Sequence, residues 1–429
     1  MMTGTMHRRT LIAGAAATIG PTLWLPKALA KGALEKPKLK VGFIALIDCA
    51  PLVIARERGF FERHGLDVEL SKEESWASVR EGLITGRLDA SHALAGTPLA
   101  VQLGAEGKAP APLITAMSLD LNGNAITFSK RLWQAGVRSG ADLKKIIATG
   151  KVGRTLTGAM VSASSMYNYN LCYWLAHHDI HPYRDVRLIT LTPAQLIANL
   201  EAGNIDFFCV TEPWNTRAHA EGAGFTVIAD RDVWGGHPEK VLAVMEPWAR
   251  THPNTHLALV KALLEACRYC DEPAHRQEVL RTLSLRTYLA AQPFLLEPAL
   301  SGRLDFGGFD GEGKATASLK DVPDFVVFFK RDADYLVGND QATFPWKSHG
   351  LWILTQMARW GQIPAIPAGV DKLLDRVYRV DIYRQAAAEL GIKAPAQDYK
   401  SENTFIDRRR FDPSNPVAYL DSFEIAARA

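Results

Sequence analysis

The side chains best placed for chemistry in this chain gather at helix starts. Four such starts stand out, at Cys49-Ala50-Pro51, Ser75-Trp76, Ser164–Tyr167 and Thr192-Pro193. The first turn of a helix leaves backbone N–H groups unpaired and carries partial positive charge, so several starts facing one cleft favour a small anion. The third start is the most unusual. "SSMYNYNLCYWL" opens with Ser164 and Ser165 as caps. Met166, Tyr169, Tyr173 and Trp174 then follow helical spacing towards a core, which leaves Tyr167 facing outward at the polar head. Covalent chemistry has weaker signals. His252 and His256 are four apart, but Pro253 makes a helix start the better reading than a metal site. Cys267 and Cys270 form a C-x-x-C inside a helical pattern without a second pair, which reads as buried thiols or one disulfide. The glycine-rich "DFGGFDGEG" at 305–313 lacks calcium-loop spacing. No H-E-x-x-H, G-x-S-x-G or Walker lysine motif is present. The chain therefore reads as a binding protein, not an enzyme, with no metal site and no cofactor.

The elements that must position these residues come in two similar sets. Strands are expected at 39–46, 66–70 and 88–94, with helices at 51–65 and 75–86. The order returns as strands at 151–156, 187–192 and 205–210, with helices at 164–178 and 193–203. "LITGRLDA" and "LEAGNIDF" close the two sets alike: Leu83, Gly86 and Asp89 match Leu200, Gly203 and Asp206 at identical spacing. Two α/β lobes with parallel strands follow, joined by crossings at 111–130 and 226–245 that form a hinge with a cleft. Helices are expected beyond, at 255–270, 275–289, 322–337, 347–360, 368–376 and 382–390. The division is a first lobe over 39–125 and 240–395, a second over 126–239, and an irregular tail over 396–429.

Composition narrows the partners. Of 429 residues, 47% are hydrophobic and 22% charged, ordinary for a globular protein of this size. Residues 1–30 read as a twin-arginine-type signal peptide, with Arg8-Arg9, an apolar run and a small-residue cut at Ala28-Leu29-Ala30. Taking Arg8, Arg9 and Lys27 from the 49 basic residues leaves 46, equal to the 46 acidic ones. A neutral mature chain argues against nucleic acid or a membrane surface as partner.

Several separated stretches, in order, carry a family likeness: "SWASVREGLITGRLDASHAL", "LNGNAITFSK", "SMYNYNLCYWLA", "LTPAQLIANL", "EPWN", "HPEK" and "FPWKSHGLWILTQMARWGQI". From about residue 39 to at least 363 the chain resembles the nitrate-binding proteins of nitrate/nitrite ABC transporters, whose relatives bind bicarbonate or cyanate. The resemblance implies an α/β, two-lobed periplasmic binding protein of type II-like fold, a monomer with a hinge and extra C-terminal helices. It implies capture of nitrate or nitrite and delivery to a permease and ATPase complex, with a place in the periplasm. It puts the family's site residues on Trp76, Asn124, Tyr167, Pro193, Val210 and Lys240. Lys240 would neutralise the anion, and it argues against bicarbonate because that branch has an acid there. Asn124 stands where the family has glutamine, and Tyr167 where it has histidine. The alternatives are a cyanate-binding protein, a thiamin-pyrimidine-synthase-like enzyme and a nitrate-sensing regulator.

Overall fold

The computed structural model describes residue 1 and residues 32–107, 109–329 and 342–427. Apart from Met1, the expected export signal lies outside the described residues.

The strands, in chain order, are β1 (Lys38–Phe43), β2 (Asp67–Lys72), β3 (Ala90–Leu94), β4 (Leu113–Asn122), β5 (Asn124–Ser129), β6 (Thr157–Met160), β7 (Arg187–Thr190), β8 (Phe207–Thr211), β9 (Gly224–Ala229), β10 (Pro238–Met245), β11 (Arg303–Asp305), β12 (Leu319–Asp321) and β13 (Val326–Val327). They form a six-stranded sheet, β13-β4-β10-β3-β1-β2, a five-stranded sheet, β7-β6-β8-β5-β9, and a small hairpin of β11 and β12. The triplet β2-β1-β3 is parallel, and so is its counterpart β7-β6-β8. The crossing strands then add antiparallel members to each sheet: β10 and β4 to the first, β5 and β9 to the second. Both sheets are thus mixed, where local order alone predicted parallel ones.

The short sequence match between the halves has a physical cause. Gly86 and Gly203 each end a helix at φ +74°, the left-handed conformation that glycine adopts without strain. Asp89 then turns back so that its carboxylate accepts from Lys40 N–H at 3.0 Å, while Asp206 accepts from Thr157 N–H at 2.9 Å. Each aspartate ties the incoming strand to the middle strand of its parallel triplet. Leu83 and Leu200 fill the two cores beneath.

Between β4 and β5 the chain passes from one sheet to the other at Gly123, whose φ is +90°. It returns between β9 and β10. Four local expectations differ from the structure. The helix expected at 51–65 breaks at Gly59, giving Ala50–Glu57 and Phe60–Arg63. The strand expected at 151–156 is a turn through Gly153, and β6 begins only at Thr157, where Asp206 holds it. The helix expected at 193–203 splits into a 3-10 turn, Pro193–Gln195, and a helix, Leu196–Ala202. Where a helix was expected at 322–337, Val326–Val327 pairs with the edge of β4; residues 330–341 of that stretch lie outside the described residues.

The C-terminal part packs on both lobes. The helix Val380–Glu389 lies on the first-lobe helix Pro253–Asp271, with Glu389 bonded to Lys261 at 2.8 Å. The helix Lys347–Arg359 lies instead on the second-lobe helix Met166–His177, where Tyr173 meets Trp352 at 6.3 Å between ring centres. The tail has little regular structure beyond the helix Pro416–Asp421, yet it packs on the second lobe, Phe405 stacking on Tyr173 at 5.6 Å. This explains a helix that is apolar and aromatic all round. Trp174 faces the sheet through Phe128 at 5.8 Å, and the opposite side faces the C-terminal layer. The buried phenol tips find partners there, Tyr173 donating to Asp407 at 2.7 Å and Tyr169 to Gln362 at 2.8 Å.

Candidate functional site

Where the two lobes meet, five side chains close a ring of hydrogen bonds. Lys240 Nζ donates to Tyr167 Oη at 2.7 Å. An ammonium can only donate, so this bond fixes the direction of those that follow. Tyr167 donates to Thr211 Oγ1 at 2.7 Å, and Thr211 to Asn124 Oδ1 at 2.6 Å. Asn124 Nδ2 donates to Glu239 Oε2 at 2.5 Å, and Glu239 Oε1 accepts from Lys240 Nζ at 2.7 Å. Asp48 Oδ2 lies 2.6 Å from the same ammonium. All six residues are fully buried.

Local structure explains how they arrive. Lys240 lies on β10, at the centre of the first sheet, and Asp48 in the 3-10 turn Ile47–Cys49 that follows β1. Neighbours on a regular strand point to opposite faces, so Glu239 and Lys240 should part. The pairing of β10 with β4 slips on both sides of Lys240, and this irregularity lets both side chains reach one point. Tyr167 stands in the first turn of the helix Met166–His177, capped by Ser165 Oγ, which accepts from Asn168 N–H at 3.2 Å. Asn124 and Thr211 lie opposite each other on β5 and β8 and share a face.

Beside the ring stand donors without partners. Trp76 opens its helix behind the cap Ser75, whose Oγ accepts from Ser78 N–H at 3.1 Å. Trp76 Nε1 is buried and has no hydrogen-bond partner among the described residues. Its ring lies 5.4 Å from Lys240 Nζ and 5.2 Å from the His92 ring. His92 Nε2 accepts from Ile44 N–H at 2.7 Å, so in the neutral imidazole the proton sits on Nδ1. Burial holds His92 near pKa 4, hence neutral. Its Nδ1 is buried and unbonded, 3.6 Å from Asp48 Oδ1. Two N–H donors and an ammonium thus converge under aromatic cover, which suits a small oxyanion.

Electrostatics sharpen this. Burial opposes the Lys240 charge, but Asp48 and Glu239 hold its pKa well above the ordinary value. Burial raises Glu239, against the pull of Lys240. Burial and then Asp48 push Asp120, which accepts from Lys240 N–H at 2.9 Å, well up. His237 is buried and held near pKa 3. Lys240, expected as a free positive charge, is in fact shared by two carboxylates.

Of the residues singled out by sequence, Trp76, Asn124, Tyr167 and Lys240 come together here. Val210 does not: it neighbours Thr211 on β8, and the strand's period of two turns it to the other face. Pro193 opens the 3-10 turn that follows the edge strand β7 and makes no hydrogen bond to the ring, having no N–H to give. Sequence reasoning missed Asp48, His92, Thr211 and Glu239. One available signal was a histidine inside the expected strand "LDASHAL". Outside the ring, Trp76 also lines a cleft of about 600 Å³ between the lobes, with Arg80, Thr97 and Val101 on one side and Val161, Ser162 and Thr190 on the other. Gly96 marks the tightest approach: a Cβ there would lie 2.2 Å from the Ser164 carbonyl oxygen.

The other chemical candidates serve the fold. Cys267 and Cys270 are buried free thiols. His256 is buried in the helix Pro253–Asp271, and no group of three metal-binding side chains occurs among the described residues. The glycine-rich loop packs on the second lobe, where Asp305 pairs with His219 at 2.9 Å.

Comparison with known proteins agrees with this geometry. A family model described as the NMT1-like family matches residues 32–284. The nitrate import ATP-binding protein NrtC of Synechocystis sp. is 43% identical over 409 residues, covering 95% of this chain and 58% of that protein. The bicarbonate transport ATP-binding protein CmpC of the same organism is 42% identical over 396 residues, covering 92% and 56%. The chain thus spans a little over half the length of these curated relatives. The crystal structure of the periplasmic nitrate-binding protein NrtA from Synechocystis superposes with a TM-score of 0.83 at 30% identity, covering 92% of this chain and 100% of that one.

Proposed function

The chain belongs to the NMT1-like family, and on that premise we propose that it is an extracytoplasmic solute-binding protein. It captures nitrate, or nitrite, between its lobes and delivers it to the permease and ATPase of an ABC importer. One observation carries the reading: beside the buried ammonium of Lys240 stand two buried N–H donors without a hydrogen-bond partner among the described residues, Trp76 Nε1 and His92 Nδ1, the latter 3.6 Å from Asp48 Oδ1. A planar oxyanion can accept from both, with the positive charge of Lys240 beside it. The likeness to NrtA over that protein's whole length supports the solute class. No step of bond making is part of this reading, so the chain is a carrier and not an enzyme.

The likeness to a bicarbonate-system protein at nearly the same identity makes bicarbonate the competitor to test. Isothermal titration with nitrate, nitrite, bicarbonate and cyanate decides between them. The reading expects heat and a thermal shift with nitrate or nitrite. Silence with both, beside a response to bicarbonate or cyanate, overturns it. Export by the twin-arginine route belongs to the same proposal. Replacing Arg8 and Arg9 together by lysine should leave the precursor in the cytoplasm, and unchanged export would remove that route.

A further inference from the structure

We propose that the anion enters this site together with one proton, taken up by the buried carboxylate pair Asp48 and Glu239. The inference rests on the anion-binding reading above and concerns how the same site balances its charge.

The geometry makes the argument. One ammonium, Lys240, already faces two carboxylates at 2.6 and 2.7 Å, with all three groups closed to solvent. A bare anion added here would set three negative charges around one positive charge where water cannot screen them. Uptake of one proton restores the balance. The proton leaves a buffer acid in solution, and an O–H bond forms on one carboxylate oxygen. On release of the anion it returns to solvent. The neutral acid then holds Lys240 less firmly and becomes a donor itself, so one ammonium N–H and one carboxyl O–H turn to the solute. Glu239 is the better placed of the two. It belongs to the ring that joins the lobes, and its second oxygen accepts only from an amide, Asn124. Asp48 Oδ1 accepts no hydrogen bond at all.

The groups facing this pair leave few other takers. On β10 and in the turn before it stand Lys240 and His237, on β3 His92, on β4 Asp120. The helix Met166–His177 adds Tyr167; β8 adds Cys209 and, just past its end, Glu212, whose carbonyl accepts from Ile47 N–H at 3.0 Å and whose carboxyl burial raises to about 7; Asp230 follows β9. His92 and His237, near pKa 4 and 3, stay neutral at physiological pH. Burial, and after it Asp48, push Asp120 well up, and its carboxyl accepts from Lys240 N–H at 2.9 Å. Burial also raises Glu239, in the direction the proposal needs. Asp230, raised to about 7 by burial, is bonded to Asn170 and Cys209 and also faces Glu239 and Asn124, so it is the competing taker to which uptake persisting in both variants would point.

The test is titration calorimetry of the whole protein with sodium nitrate and sodium nitrite, in buffers of differing ionisation enthalpy, from pH 6 to pH 8. The expected result is uptake of about one proton per anion, with affinity rising about tenfold for each unit of falling pH. Glu239→Gln should bind with little pH dependence and no proton uptake; Asp48→Asn gives the same result if Asp48 is the taker. Binding without proton uptake in the wild type overturns this inference alone. Proton uptake that persists in both variants also overturns it. No binding at any pH, in wild type or variants, overturns the anion reading instead.

Discussion

The two lobes bring different chemistry to the point where they meet. To the hydrogen-bonded ring and its ion pair the first supplies the charged groups, Asp48, Glu239 and Lys240, with His92 and Asp120 beside them. The second supplies only neutral hydrogen-bonding groups, the hydroxyls of Tyr167 and Thr211 and the amide of Asn124, which β5 carries at the crossing. Charge-assisted bonds are roughly twice as strong as neutral ones. The asymmetry therefore divides the work. The first lobe selects a solute by charge, and the second senses whether the first lobe's ammonium is correctly placed. Closure rests on two charge-assisted bonds that cross between the lobes, Lys240 to Tyr167 and Asn124 to Glu239.

Three substitutions test this division, from the strongest effect to the weakest. Lys240→Met removes the one cation and leaves Asp48 and Glu239 buried without it. Breaking a buried pair in this way costs about 3–5 kcal/mol. Thermal unfolding should fall clearly and anion binding should vanish from calorimetry; retained affinity would move the anion elsewhere. Tyr167→Phe takes one neutral hydroxyl from the second lobe. Lys240 and Thr211 each lose a partner, at a cost of about 1.5–3 kcal/mol because one of them is charged. Affinity should drop about tenfold or more while preference among anions stays the same. A changed preference would show that the second lobe also selects. Gly96→Ala leaves every site group intact and adds a methyl against the Ser164 carbonyl of the facing lobe. At φ −82° alanine itself is unstrained, so the cost of about 1–3 kcal/mol falls on the closed shape alone. Small-angle scattering should show a more open molecule. An unchanged profile would mean that the lobes close without this contact.

How much of this was legible from sequence depends on how local each signal is. Ser75 and Ser165 announce helix starts because a cap acts within three residues. Leu83-Gly86-Asp89 and Leu200-Gly203-Asp206 were visible as a match, and their roles, a left-handed helix end and a strand tie, are local too. The two-lobe order followed from the alternation of elements. The antiparallel crossing strands did not, because pairing of β10 with β3 and β4 joins distant parts of the chain. The site divides along the same line. Trp76, Asn124, Tyr167 and Lys240 were reached through family likeness. Asp48 meets Lys240 only through the folded sheet, and Glu239 was hidden by its place next to Lys240, where a regular strand would point it away. Thr211 was missed in favour of its neighbour Val210, an error of one residue that reverses the face.

The C-terminal layer has a consequence for the order in which the chain takes shape as it is made. Tyr173 reaches Tyr419 across a sequence separation of 246 residues, and Trp234 meets Trp352 at 4.3 Å. The aromatic side of the second lobe therefore stays uncovered until the segment around Tyr419 has been made. Until then its apolar face is exposed, and contacts this distant in sequence form slowly. The last thirty or so residues act as the closing seam of a domain whose strands ended long before. Trimming them should harm yield and solubility well before it touches any group that meets the solute.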